Sequence, residues 1–262
     1  MKSKIYEMEM NLIFDIGFHK GEDTQYYLEK GYRVVAVEAN PILTEYGKIK
    51  FKKFIENGQL VLLNIGIANE NRILDFWVND YCSEWSSFDK DIGCRSNTKC
   101  HKIEVNCIRT EDLIKKYGLP YYLKIDIEGY DIHAIETLDK YNLPKYISCE
   151  VSNIDWIYTL KELGYKKFKI INQADRFKKL QINKEKSKLH HYKRYLINGI
   201  MHRTSNLINW KFPIKSSGPF GEDTDGEWYE ADEIVALYKE YLQFEKNTPL
   251  SSISWFDFHA TY

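Results

Sequence analysis

Strands and helices alternate along residues 11–171 of this chain, and the strands close on acids. Residues 11–16 (NLIFDI) form a short apolar run with Asp15 near its end, followed by Gly17 and Gly21. Residues 23–30 suit a helix that Gly31 stops. Residues 32–38 (YRVVAVE) are β-branched and close on Glu38; Pro41 opens a helix reaching Phe54, and residues 60–65 (LVLLNI) make a third buried strand. That spacing predicts a parallel sheet with helices on both faces, which is an α/β fold. Residues 73–78 and 102–108 flank a polar loop and predict a hairpin-like excursion. Thr110 caps a helix ending at Gly118, residues 121–127 (YYLKIDI) carry Asp126 near their end, and a helix follows Gly129. Residues 146–151 and 168–171 are further strands around a helix at 155–163, and residues 255–262 (WFDFHATY) a final one.

Between the last two strands the pattern stops. Residues 176–194 are basic (Arg176, Lys178, Lys179, Lys184, Lys186, Lys188, Lys193, Arg194), residues 222–245 are acidic, and SSGPFGEDTDGEW (216–228) lies between them. Residues 231–245 place Ile234, Leu237, Tyr238, Tyr241 and Leu242 at helical spacing. At 262 residues the expectation is one domain over residues 1–262, with residues 173–254 as an insertion on the acceptor side. A net charge of −1 and 44% apolar residues exclude a disordered chain and a polycation that binds nucleic acid by bulk charge. No apolar run reaches the roughly 20 residues of a membrane span. The amino terminus lacks an apolar signal core, so a cytoplasmic protein is expected. The five cysteines (Cys82, Cys94, Cys100, Cys107, Cys149) include no C-x-x-C pair, and reduced thiols are expected.

In open parallel sheets, ligands bind at the carboxyl ends of the strands, where the strand order reverses. Asp15, Glu38 and Asp126 each close or nearly close a strand. A nicotinamide site wants G-x-G-x-x-G. The chain offers DIGFHKG, with two glycines four apart, and Asp15 would repel a pyrophosphate. A cofactor carrying sulfonium and ammonium groups suits that carboxylate better, and Glu38 suits a ribose diol, to which a carboxylate accepts two hydrogen bonds. The charge pattern favours S-adenosylmethionine.

The ordered motifs DIGFHKGEDT (15–24), VEANP (37–41), LNIGIAN (63–69), Ser86–Ser87 and YLKIDIEGYD (122–131) resemble the FkbM-type S-adenosylmethionine-dependent methyltransferases. The resemblance runs over residues 11–151, and KIDIEG is its most specific part. It implies the class I methyltransferase fold: a Rossmann-like, doubly wound sheet of seven strands, the last antiparallel, here with a cap-like insertion before that strand. It also implies O-methylation, often of sugar hydroxyls in polysaccharides. Carried onto this sequence, Asp15 and Gly17 would line the methionine part of the cofactor, with Gly21 and Thr24 in the same loop, and Glu38 its ribose, with Asn40 beside it. Asn64 and residues 65–67, ending at Ile67, would lie near the adenine. Asp126 would face the methionine moiety or the transferred methyl. His19 departs from the small or amide residues common at its position. Thr24 and Asn64 also read simply as helix- and turn-stabilising residues.

Methyl transfer to an alcohol needs alignment and a base within hydrogen-bond reach. Lys124, Asp126 and Glu128 alternate, and share a face if the strand persists that far. The catalytic candidates are Asp126, Glu128 and Glu150; Glu128 also reads as a cap for the following helix, and Lys124 would damp the basicity of either neighbour by pairing with it. A divalent cation at these acids is the less favoured alternative, and no residue is assigned as a metal ligand. His133 reads as a helix-face residue, His259 ranks below Glu128, and His190 and His191 read as surface residues.

Trp85, Ser86, Ser87, Phe220 and Trp228 are the acceptor-side candidates, with Trp210 and Tyr229 as further rings; each ring also reads as local packing. The expected partner is a small-molecule or glycan acceptor, without nucleic acid, and self-association is open. The rival readings are a nicotinamide-dependent oxidoreductase and a non-catalytic binding module on the same fold.

Overall fold

The structure is a computed structural model that describes residues 4–182, 203–204, 210–213, 216–246 and 255–262. These form two compact units, Met1–Ile147 and Ser148–Tyr262. The first unit runs β1 (Met8–Ile16), α1 (Glu22–Glu29), β2 (Arg33–Val37), α2 (Pro41–Lys50), α3 (Lys52–Glu56), β3 (Leu60–Leu63), β4 (Gly66–Ile67) and β5 (Arg72–Asn79). It continues through α4 (Lys90–Gly93), β6 (Cys100–Ile108), α5 (Thr110–Tyr117), β7 (Leu119–Ile125) and α6 (Asp131–Glu136).

Its main sheet has the order β7-β1-β2-β3 with every neighbouring pair parallel. Leu12, Ile13, Phe14, Val34, Val35, Tyr122 and Leu123 are buried. Strands covered on both faces read as continuous apolar runs rather than alternating ones. The order makes β1 the reversal point: the chain builds outward through β2 and β3 on one side, and β7 is laid down on the other. The carboxyl ends of β1, β2 and β7 therefore converge, which brings Asp15, Glu38 and Asp126 to one edge. The expected hairpin is present as antiparallel β5 and β6, with β4 joined parallel to β6. Phe76, Val78, Val105 and Cys107 pack beneath it, with Phe88 and Tyr130 against them.

The second unit is entered on β8 (Tyr146–Glu150) and continues with α7 (Trp156–Leu163), β9 (Lys167–Asn172), β10 (Lys178–Lys179), β11 (Arg203–Thr204), β12 (Lys211–Phe212), α8 (Ala231–Lys246) and β13 (Phe256–Thr261). Its sheet order is β10-β9-β13-β8, and β11 pairs separately with β12. The last strand is antiparallel to β9, as expected, with His259 opposite Lys169. Two-residue β10 is one described strand beyond the expected seven. The middle of the insertion, with Lys184, Lys186, Lys188, His190, His191, Lys193 and Arg194, lies outside the described residues.

Three local expectations are corrected. The helix from Pro41 breaks at Phe51, which caps both α2 and α3. Strand β7 ends at Ile125, so alternation along the strand does not reach Glu128. Cys94 and Cys100 are not reduced thiols but a disulfide, with Cα atoms 5.5 Å apart; Cys82, Cys107 and Cys149 are free. The turn between the bonded pair contains left-handed Ser96 and Asn97, which fold the chain back far enough for a bond that spacing alone does not reveal. Among the described residues no helix is long and apolar enough to cross a membrane.

Candidate functional site

At the end of β1, Gly17 has φ +92°, and a Cβ there would lie 1.8 Å from the Asp126 carbonyl oxygen. Only glycine lets the ends of β1 and β7 approach so closely. Gly17 and Phe18 both donate their N–H groups to the Val37 carbonyl, which ties the loop to β2 as well. Gly21, at φ +73°, precedes α1 without capping it through a side chain, and a Cβ there would strike the Phe51 and Phe18 rings. It is a packing glycine.

Beneath this loop, Lys124 lies 3.2 Å from Asp15, 3.5 Å from Asp23 and 3.6 Å from Asp126, and donates to the Gly17 carbonyl at 3.0 Å. Thr24 donates its hydroxyl to Asp15 Oδ2 at 2.5 Å. Lys124, Asp15 and Asp23 are buried. Burial pulls the Lys124 ammonium down, but Asp15, Asp126 and Asp23 more than offset it and hold the group charged, well above the usual lysine range. Burial pushes the Asp15 carboxyl up, with Lys124 and Thr24 opposing. Asp15 is thus engaged inside the protein through Lys124 and Thr24, and of the three acids around Lys124 only Asp126, with a side chain 23% exposed, reaches solvent appreciably.

Glu38 follows β2. Its Oε2 accepts the His19 N–H at 2.7 Å and its Oε1 the Asn40 N–H at 2.8 Å. Burial raises its carboxyl to about 7, against the two backbone donors. Each oxygen still has lone-pair capacity for a further donor, which is what a ribose diol requires. Asn40 caps α2 by accepting from the Ile42 N–H at 2.9 Å. Asn64 donates to the Glu38 and Ala39 carbonyls at 2.9 and 3.1 Å, so its amide fixes the backbone that carries Glu38. Ile67 is buried in β4. His19 stands in the left-handed region at φ 51°. Its Nδ1 meets Glu22 at 3.1 Å and its Nε2 meets Ser83 Oγ at 2.9 Å, linking the first loop to the 3-10 turn Ser83–Trp85. Burial pushes the Glu22 carboxyl up, but the hydrogen bond and charge of His19 outweigh it and leave the group lowered.

The loop after β7 carries the second group of acids. Oxygens of Asp126 and Glu128 lie within 4.8 Å of one another. Glu128 is left-handed at φ 51°, a conformation that a non-glycine residue keeps only where its surroundings impose it. Asp131 imposes part of it by accepting the Ile127 and Gly129 N–H groups at 3.2 and 3.0 Å. Ser87 adds a hydroxyl donated to the Glu128 carbonyl at 2.8 Å. Arg95 Nη2 donates to Glu128 Oε2 at 2.7 Å, and the guanidinium sits 4.7 Å from the Trp85 ring centroid. Burial and the Asp126 charge raise the Glu128 carboxyl to about 7, with Arg95 opposing. Burial likewise raises Asp131 to about 6, with the Asp126 charge adding to it. Asp126 and Glu128 each already face a cation, Lys124 at 3.6 Å and Arg95 at 2.7 Å. Ser86 Oγ accepts the Asn79 N–H at 3.1 Å, so both serines of the pair serve the loop backbone.

In the second unit, Glu150 closes β8. Phe220 is buried. Trp228 donates its indole N–H to Glu222 at 3.1 and 3.2 Å and carries the Lys169 ammonium 4.3 Å from its ring centroid. His259 is buried, its Nε2 has no hydrogen-bond partner, and burial, with the Lys169 charge, pulls it to about 3. In the first unit, His133 meets Glu136 at 3.3 Å and packs on Tyr130.

Sequence reasoning missed Asp23, Arg95 and Asp131. Asp131 had a local signal, an Asx pattern after Gly129. Arg95 and Asp23 had none, because their partners are set by loop closure and strand order.

A family model described as a methyltransferase FkbM domain matches residues 15–167. None of the curated proteins matches the chain. Among solved structures, the methyltransferase FkbM from Methylobacillus flagellatus KT is 14% identical, with a TM-score of 0.38, over 55% of this chain and 33% of that one. This chain therefore spans about a third of that relative. Precorrin-6y C5,15-methyltransferase from Geobacter metallireducens GS-15 is 11% identical over 97% of this chain and 81% of its own, with a TM-score of 0.41. A SAM-dependent methyltransferase from Thiobacillus denitrificans, in complex with S-adenosyl-L-homocysteine, is 11% identical over 97% and 86%, with a TM-score of 0.37.

Proposed function

The chain belongs to the FkbM family of S-adenosylmethionine-dependent methyltransferases, and from that premise we propose that it methylates a hydroxyl of a sugar in a glycan or polysaccharide precursor. The observation that carries the O-methyl reading is Glu128, a half-buried carboxyl raised to about 7 beside the carboxylate of Asp126. An alcohol is a weak nucleophile while it keeps its proton, and a base poised near the working pH is the group that removes it. The sugar is the family's habitual acceptor class, and it comes to this chain through the resemblance of its motifs.

When bound, S-adenosylmethionine supplies an electrophilic methyl on a sulfonium sulfur. Glu38 accepts the ribose hydroxyls through its spare lone pairs, with Asn64 fixing its backbone and His19 and Asn40 orienting its carboxylate. Gly17 keeps the ends of β1 and β7 close enough to form the floor of the site. Asp126 places negative charge beside the cofactor's cationic end, and Lys124 prevents that charge from being one of three unpaired acids. Glu128 takes the acceptor proton. Trp85 packs under Arg95 and stands with the acceptor loop.

Calorimetric titration with S-adenosylmethionine, followed by radiolabelled methyl transfer to a panel of saccharides, tests this reading. Binding with alkali-stable label in a sugar is expected. Binding without turnover on any saccharide would favour a non-catalytic module or another acceptor; label in an amine would overturn O-methylation, and alkali-labile label in an ester would overturn a hydroxyl acceptor.

A further inference from the structure

We propose that Arg95 is a positioning residue for Glu128 and that the Cys94–Cys100 disulfide holds it there, so that a dithiol reductant acting on this bond releases the carboxylate from its guanidinium partner. The consequence for methyl transfer rests on reading Glu128 as the base.

Arg95 directly follows Cys94 and opens the 3-10 turn Arg95–Asn97. Ser96 and Asn97 take φ of 59° and 54°, consecutive left-handed residues without glycine. Side-chain-bearing residues rarely hold that conformation in sequence, and where they do the surroundings over-determine it. Here the bond spans the turn, joining its entrance to Cys100, the first residue of β6, whose register partner is Asn79 on β5. Asn79 adds hydrogen bonds to the Gly93 carbonyl at 2.8 Å and the Thr98 hydroxyl at 2.6 Å. The turn carries one long side chain to the site: Arg95 reaches Glu128 at 2.7 Å over the Trp85 ring. Its Nε is buried without a hydrogen-bond partner, so the guanidinium is held by the turn and not by a full set of its own bonds. Both cysteines are half-buried.

Reduction exchanges one disulfide for another. Two electrons and two protons pass from the dithiol, the Cys94–Cys100 bond breaks into two thiols, and the reductant closes its own disulfide. The freed turn relaxes from the left-handed pair, and Arg95 moves with it. Glu128 is then faced by Asp126 and Asp131 without the opposing cation, and both favour its protonated form.

The test is a carbon-13 titration of the Glu128 side-chain carboxyl, assigned with Glu128→Gln. It compares the oxidised protein, the same sample in dithiothreitol, the reoxidised sample, and the Arg95→Gln and Arg95→Lys variants. Reduction and Arg95→Gln should each raise the Glu128 midpoint by about one pH unit, cutting its ionised fraction below the midpoint about tenfold. Reoxidation should restore it, and Arg95→Lys should recover part of the shift. Calorimetric affinity for S-adenosylmethionine should stay constant throughout. An identical midpoint in both redox states overturns the proposal, as does peptide mapping that finds Cys94 and Cys100 free in the unreduced protein. A midpoint that follows redox state while Glu128→Gln leaves methyl transfer unchanged supports the Arg95 linkage and defeats the base reading alone. Absent cofactor binding would defeat the methyltransferase reading without touching the titration.

Discussion

Two of the cation–carboxylate groups in the first unit differ in almost every physical respect. Lys124 sits among Asp15, Asp23 and Asp126 with 4% of its side chain exposed, on a central strand pair. Arg95 meets Glu128 with 35% and 16% exposed, between a disulfide-closed turn and a loop held in a left-handed conformation. The first gathers charge where solvent cannot screen it, so removing one member leaves the others uncompensated. The second keeps a carboxyl near neutral midpoint within reach of solvent, where a proton can come and go. Rigid burial suits the Lys124 group to scaffold, and partial exposure on loops leaves the Arg95–Glu128 group open to proton exchange.

The sharpest way to break this comparison is Lys124→Met. Urea denaturation should show a loss of about 3–5 kcal/mol, because Asp15 and Asp23 remain buried without their cation. A loss below about 1 kcal/mol would show that the interior group is not scaffold. Next comes Glu128→Gln, expected to lower methyl transfer about 10²-fold or more while S-adenosylmethionine affinity holds. Joint loss of affinity and turnover would move Glu128 to the scaffold class.

The pH dependence of stability separates the groups further. Glu128 is raised from 4.5 to about 7, so between those values the folded protein holds a proton that the unfolded chain releases. Its contribution is complete below pH 4.5 and is lost as pH rises to about 7, at about 1.4 kcal/mol per pH unit. Denaturation curves at several pH values should therefore show a shallower decline in Glu128→Gln than in the unmodified chain; equal slopes would contradict the raised midpoint. Asn40→Ala supplies the smallest effect and a neutral reference. Losing the cap of α2 should cost about 1 kcal/mol in the same denaturation assay, without the charge-dependent terms of either group. A much larger loss would mean that the Glu38 loop depends on Asn40 beyond its cap.

Much of the scaffold is legible in the residues themselves. The apolar runs that became β1, β2, β3 and β7 and the β5–β6 hairpin follow from local periodicity and turn chemistry, while the antiparallel direction of the last strand is what the family resemblance implies. The placing of Asp15, Glu38 and Asp126 at strand ends is equally local. What Asp15 does there is not, because Lys124 lies 109 positions along and reaches it only through the adjacency of β7 and β1. Glu128 was reached by strand alternation, whereas its position comes from Asp131, Ser87 and Arg95 gripping a loop beyond the strand. The disulfide was hidden for a similar reason: two left-handed residues, not a motif, bring Cys94 to Cys100.

By itself the sequence determined an α/β sheet whose strands close on acids, glycines where two strand ends must meet, and the motif order of a methyltransferase family. Those properties depend on neighbours a few positions away, through a period of two in strands and 3.6 in helices. Tertiary structure alone decided which acids are consumed by internal cations and which remain available for chemistry. That outcome depends on strand order and loop closure between segments far apart in the chain, where burial and a single guanidinium or ammonium set the charge state of each carboxylate.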